Sequence, residues 1–152
     1  MKIEDVAILS FGTIDKIFDT AYETAKRSTC QRKKVGATLF DIGKERIVGY
    51  GYGGSLVPCK ECLRDKEEWR QDGCWSVHAE MRAIKNCIAV NIIADPASLV
   101  MFVTHGPCDQ CLKHMEFFGI TTVVYDVPYH DNWKKWLGRM DVYSREELNE
   151  LL

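Results

Sequence analysis

Apolar residues recur along this chain with two different periods. Between residues 13 and 27, Ile14, Ile17, Phe18, Ala21 and Ala25 fall on one side of a 3.6-residue repeat, which predicts an amphipathic helix. Residues 35–40 and 47–52 are short apolar runs that read as two strands, joined by a turn around Asp41-Ile42-Gly43-Lys44. A polar, cysteine-containing segment follows at 53–75. It is long for a connection inside a compact domain, so it carries either a short helix or a functional role. Met81, Ile84 and Ile88 then mark a helix that begins near residue 77 and runs to about 86. A buried-type strand is expected at 99–104, a helix at 108–118 and another strand at 121–125. Residues 133–137 read as helical and 141–143 as a short strand. Ser144-x-x-Glu147 is a capping-box pattern that opens a last helix to residue 152. Strands alternating with helices predict an α/β sheet with helices on both faces, folded as one domain over 1–152.

Composition narrows the function classes more than the fold. The net charge of −2 leaves no global basic field to draw the chain to nucleic acid. The local exception is a cationic stretch, Lys26, Arg27, Arg32, Lys33 and Lys34, suited to one phosphate rather than to a polymer. The N-terminal residues lack the apolar core of a signal peptide, and no run approaches a membrane span. Seven cysteines, an odd number with two pairs at C-x-x-C spacing, argue for metal ligands and thiols in a reducing cytoplasm.

The candidate chemistry lies in two short motifs. Residues 78–80 read His-Ala-Glu and residues 107–111 read Pro-Cys-Asp-Gln-Cys. His78, Cys108 and Cys111 are one imidazole and two thiols, a three-ligand zinc set that leaves a fourth tetrahedral position for water. Pro107 suits the first position of a helix, which would place Cys108 and Cys111 one turn apart on one face. The positive end of the helix dipole favours both thiolates. His78 and Glu80 would open the other helix, so two helix N-termini would face each other across the metal. Zn²⁺ with two thiolates and a neutral imidazole has net charge near zero. Its water can still lose a proton, with Glu80 as acceptor. The joint pattern H-x-E…P-C-x-x-C resembles the signature of zinc-dependent nucleobase deaminases.

The resemblance extends further. Residues 27–37, Arg-Ser-Thr-Cys-Gln-Arg-Lys-Lys-Val-Gly-Ala, resemble the R-S-T-C-x-R-x-x-V-G-A segment of bacterial and phage-type deoxycytidylate (dCMP) deaminases. Residues 47–54 are similar to their I-x-G-x-G-Y-N-G strand and turn. Cys62-Leu63-Arg64 with Cys74, the stretch 118–125, and Tyr129-His130-Asp131 also resemble that group. Covering roughly residues 20–137, the resemblance implies a three-layer α/β/α fold of the cytidine-deaminase type, with a central mixed sheet of about five strands. It implies deamination of dCMP to dUMP, supplying thymidylate synthesis. Glu80 would shuttle protons to ring N3 and to the departing ammonia, and backbone near Ala79 or Cys108 would fix the base.

For the phosphate, Arg27, Ser28 and Arg32 offer two guanidinium groups and a hydroxyl. Val35-Gly36-Ala37 would wall the pyrimidine, with glycine letting backbone approach it. Thr104 would contact the base, Tyr129 would stack on sugar or base, and Asp131 would bond a ribose hydroxyl.

Two departures from the family pattern concern regulation. Gly53 stands at the Asn of G-Y-N-G, and Arg82 stands at the Asn of H-A-E-x-N-A. In the family the first turn belongs to an effector site between subunits of a hexamer, where dCTP activates, dTTP inhibits and Mg²⁺ accompanies the triphosphate. Gly51, Tyr52, Gly53 and Arg82 are the matching residues here. Loss of two amides and gain of a cation mean either that regulation is lost or that the triphosphate is gripped differently. Cys59, Cys62 and Cys74 form a candidate set for a second, structural zinc, with Cys30 able to fold back as a fourth ligand. Two rivals remain. One is another deaminase acting on a nucleoside, free base or tRNA adenosine. The other is a non-catalytic zinc module.

Overall fold

The computed structural model describes residues 1–30, 32–59, 62, 74–90, 94–129 and 131–152. Most of the long polar segment, including Trp69, lies outside the described residues, as does His130 of the Tyr-His-Asp motif. The described elements are α1 (Ile3–Val6), α2 (Phe11–Ala25), β1 (Gly36–Asp41), β2 (Arg46–Tyr52), α3 (Ala79–Ala89), β3 (Leu99–His105), α4 (Asp109–Phe117), β4 (Thr122–Val127), β5 (Asp141–Ser144) and α5 (Arg145–Asn149). Short 3-10 turns at Pro96–Ser98 and Asn132–Trp136 lead into β3 and towards β5.

The sheet order is β2-β1-β3-β4-β5. β1 pairs antiparallel with both β2 and β3, while β3–β4 and β4–β5 are parallel, so the sheet is mixed and five-stranded. Period-2 alternation along the central strands separates two cores. Leu39, Met101, Val103 and Val123 face α3 and α4, against Ala83, Ile84, Leu112 and Met115. Phe40, Val100, Phe102 and Val124 face the other way, against Ile14, Ile17 and Phe18 of α2 and Leu148 of α5. Phe18 meets Phe102 edge-on, with ring centroids 5.5 Å apart. This is the three-layer arrangement that the resemblance implied.

Several boundaries move, each for a local reason. α2 starts at Phe11 because the Ser10 hydroxyl caps it, accepting from the Thr13 N–H. It ends at Ala25, leaving Lys26 and Arg27 to turn the chain towards the β2 turn. α3 begins at Ala79, because His78 is extended and serves as its N-cap. Pro107 is not the first helical residue of α4. Cys108 is the extended N-cap, so its thiol turns away from the helix axis, and Cys111 is the third helical residue. The last helix stops at Asn149, but its capping box forms as expected between Ser144 and Glu147.

Side chains tie the layers together. The Tyr22 hydroxyl of α2 donates to Asp126 of β4, and burial together with that carboxylate pushes Tyr22 up to about 12. Arg145 of α5 bonds Asp15 of α2 at 2.7 Å. On the outer strand, Asn86 of α3 donates to the Tyr50 carbonyl at 2.8 Å.

α3 lies unusually close to β2. A Cβ built on Gly49 would sit 2.4 Å from the Ala83 carbonyl oxygen. One on Gly51 would sit 2.5 Å from the Ala83 nitrogen and 2.7 Å from the Ala79 oxygen. Gly36 is tight on the opposite face, against the Ala21 carbonyl of α2. It therefore serves helix packing rather than approach to a pyrimidine. Gly51→Ala should destabilise the fold by about 1–3 kcal/mol, since backbone must move to admit the methyl. Urea unfolding of the two proteins side by side would measure this.

Candidate active site

The N-termini of α3 and α4 meet over one pocket, as the spacing of the motifs predicted. His78 Nδ1 lies 3.1 Å from Cys111 Sγ and 3.3 Å from Cys108 Sγ. All three ligand atoms lie within 4.8 Å of one another, and both cysteines are buried. A tetrahedral zinc with bonds of about 2.0–2.3 Å spaces its ligands by roughly 3.5 Å, so the trio fits the ion closely. The protonation of the pair points the same way. A hydrogen bond from Cys111 pulls the Cys108 thiol down to about 4, and the same bond, with burial, pushes Cys111 up. A thiol held low in this way offers the thiolate that a dication takes up.

Glu80 sits in the first turn of α3, 3% exposed, with its carboxyl facing His78, Cys108 and Cys111. Burial pushes that carboxyl up, and the nearby His78 opposes the shift. The pocket is lined by His78, Ala79, Glu80 and Cys108 together with Val35, Gly53, Gly54 and Val77. Its cavity volume is about 100 Å³, and it opens to solvent.

A second cluster lines the same pocket: Arg32, Lys33, His105 and Tyr129. Lys33 Nζ stands 4.2 Å from the Tyr129 ring centroid, and the His105 ring meets Tyr129 edge-on. Burial and Lys33 both lower the His105 pKa, which keeps its imidazole neutral near pH 7.

The structure sorts the other sequence-derived residues. Ser28 is buried, donating to the Gly53 carbonyl at 2.5 Å and accepting from the Cys30 N–H, so its hydroxyl shapes the loop. Arg27 is exposed at the end of α2, outside the pocket lining. Thr104 is fully buried, taking the Gly36 N–H at 3.1 Å and pairing with His105 Nδ1 at 2.8 Å. It orients His105 rather than reaching a ligand. Asp131 is exposed beside the 3-10 turn and does not line the pocket. Val35 does, as expected. Lys33 and His105 were missed as lining residues. The signal for both was present, in the cationic stretch and in the residue after Thr104.

The residues matched to an effector site divide in two. Gly53 faces the pocket, whereas Gly51 is covered by α3. Arg82 is buried, with its guanidinium 4.5 Å from the Tyr52 ring centroid. Cys59, Cys62 and Cys74 do not converge. Among the described residues the one cluster able to hold a metal is His78, Cys108 and Cys111. Cys30, Cys62 and Cys74 instead line the active-site pocket, and Cys59 lies near Ser55 in a neighbouring groove.

The chain is similar to several known proteins. ComE operon protein 2 of Bacillus subtilis is 39% identical over 106 residues, an alignment that takes in 69% of this chain and about half (54%) of that protein. The deoxycytidylate deaminase of Mycobacterium phage D29 is 31% identical over 117 residues, covering 69% of this chain and 87% of the phage protein. The fold matches the crystal structure of dCMP deaminase from cyanophage S-TIM5 in complex with dCMP and dUMP. Its TM-score is 0.69 at 23% identity, over 90% of this chain and 98% of that one. Residues 12–127, which hold all but the first residue of α2, the glycine-rich turn, all three metal ligands and Glu80, match the cytidine and deoxycytidylate deaminase zinc-binding region, and the chain belongs to that family.

Proposed function

We propose that this protein is a zinc-dependent hydrolase that converts dCMP and water to dUMP and ammonia, feeding thymidylate synthesis. The observation that carries the reading is one pocket holding both the zinc trio with buried Glu80 and a basic cluster of Arg32 and Lys33. When bound, zinc supplies a Lewis acid that makes water nucleophilic near neutral pH.

Glu80 performs the proton transfers. Its carboxylate accepts a proton from the attacking water and delivers it to ring N3. The new C–O bond makes C4 tetrahedral. Glu80 then carries the second water proton to the exocyclic nitrogen. The C4–N bond breaks, ammonia leaves and the ring keeps a carbonyl at C4. Burial of Glu80 keeps bulk water from competing for these protons. Lys33 and Arg32 meet the phosphate, Tyr129 covers the sugar or base, and Val35, Gly53 and Gly54 wall the ring. Lys33 takes the place that spacing alone had given to Arg27 and Ser28.

The assembly we propose is a homo-oligomer, most simply a hexamer, in a reducing cytoplasm. Exposed Leu56, Val57 and Trp75 beside α3 suit a subunit contact. Among the described residues, no helix is long and apolar enough to cross a membrane. A dCTP–Mg²⁺ or dTTP effector would occupy the groove lined by Trp75, Met81 and Lys85.

Ammonia release from dCMP, deoxycytidine, CMP and cytosine is the direct test. Turnover of dCMP with little of deoxycytidine supports the reading, whereas the reverse preference overturns it. Glu80→Gln should keep one zinc per chain by metal analysis and lose about 10²–10⁴-fold in kcat. Lys33→Ala should raise KM for dCMP roughly tenfold and leave deoxycytidine kinetics unchanged, since a charge-assisted bond to phosphate is lost. A strong chelator should abolish turnover and lower the unfolding midpoint, and added zinc should restore both.

A further inference from the structure

Arg82 has no part in the chemistry above, yet its charge is buried at 8% exposure. Nη1 donates to the Tyr52 carbonyl at 2.7 Å and Nη2 to the Gly54 carbonyl at 3.1 Å. The guanidinium plane covers the Tyr52 ring. Among the described residues no carboxylate pairs with it. A buried cation without a counter-ion is costly, and the carbonyl dipoles and ring face that offset the cost come from Tyr52, the last residue of β2, and from Gly54 in the turn after it.

Other side chains also tie that turn, but from the α2–β1 loop: the Ser28 hydroxyl donates to the Gly53 carbonyl, and the Thr29 hydroxyl donates to the Ser55 carbonyl and accepts from the Ser55 N–H. Gly53 and Gly54 have no side chains to pack, and fixing glycine costs more conformational entropy than fixing any other residue. Gly54 also has φ 129°, where a Cβ would sit 2.5 Å from Thr29 Oγ1. The remaining ties are backbone bonds. Gly54 exchanges both of its hydrogen bonds with Val77, at 3.0 and 2.9 Å, and the Gly53 N–H donates to the Val35 carbonyl at 2.9 Å. Val77 immediately precedes His78, and Val35, Gly53, Gly54 and Val77 all line the pocket. The Gly54 carbonyl therefore accepts from both Val77 and Arg82, joining the turn to the start of α3 and to its second turn.

We propose that Arg82 is a positioning residue: its fork ties the glycine-rich turn to the helix carrying His78 and Glu80, and so fixes the pocket wall against the substrate. A planar guanidinium reaches two carbonyls two residues apart, whereas a lysine ammonium is a point charge and holds one. The kinetic consequence rests on the deaminase reading; the structural one does not.

The test compares wild type, Arg82→Lys and Arg82→Met, all zinc-loaded. Amide hydrogen exchange is read at Gly53, Gly54 and Val77, with Met101 in β3 as an internal control. Loss of the fork should speed exchange at Gly54 and Val77 roughly tenfold or more in Arg82→Met, by less in Arg82→Lys, and leave Met101 unchanged. KM for dCMP should rise roughly tenfold in Arg82→Met with kcat within about threefold, because a mobile wall weakens binding more than proton transfer. Unchanged protection at Gly54 and Val77 in a folded variant overturns the proposal, as does a fall in kcat with KM unmoved. If Arg82→Met does not fold, Arg82→Lys decides, since it keeps the charge and loses the fork. If wild type turns over no cytosine compound, the deaminase reading fails and the exchange data alone decide the clamp.

Discussion

The arrangement depends on how closely one helix can lie on one strand. α3 rests close on β2, because Gly49 and Gly51 present bare backbone to Ala79 and Ala83. Helices ordinarily stand off a sheet by the thickness of the side chains between them. Here the missing Cβ atoms lower the N-terminal end of α3 towards the sheet. That end carries His78 and Glu80, while Cys108 and Cys111 arrive from the end of β3. Whether the imidazole comes within 3.1–3.3 Å of two sulfurs is set at this contact, well away from the metal ligands themselves.

The electrostatics follow from that convergence. A carboxyl, two thiols and an imidazole are packed where water has little access, and burial disfavours charge on each acid. Among the described residues, Lys33 and Arg32 add positive charge to the same pocket. The site is thus divided into a region suited to a dication and a region suited to an anion. Tyr129 and the glycine wall complete the enclosure.

Sequence reasoning recovered the layers, the order of the main elements and the metal trio, because each is a local pattern of residue types. It did worse with Ser28, Thr104 and Gly36. A hydroxyl in a motif looks the same whether it meets a ligand or, as Ser28 does, a carbonyl 25 residues away. Gly36 looked like a backbone approach to substrate and proved to be an approach to α2. Among five neighbouring cations, spacing could not say which faces inward. The answer depends on the loop path after α2, which the Ser28–Gly53 bond directs. Pro107 was displaced from its expected place because Cys108 has to be extended to aim its thiol at His78.

The outer strand shows one more effect of the close helix. β2 is the last strand of the sheet on its side, so part of its backbone has no strand partner. The carbonyls of Tyr50 and Tyr52 are nevertheless taken, by Asn86 and Arg82, two α3 residues one turn apart. An extended segment from another molecule would find both acceptors engaged and a helix leaning over them. The contact that brings the metal ligands together also makes this strand a poor template for edge-to-edge growth.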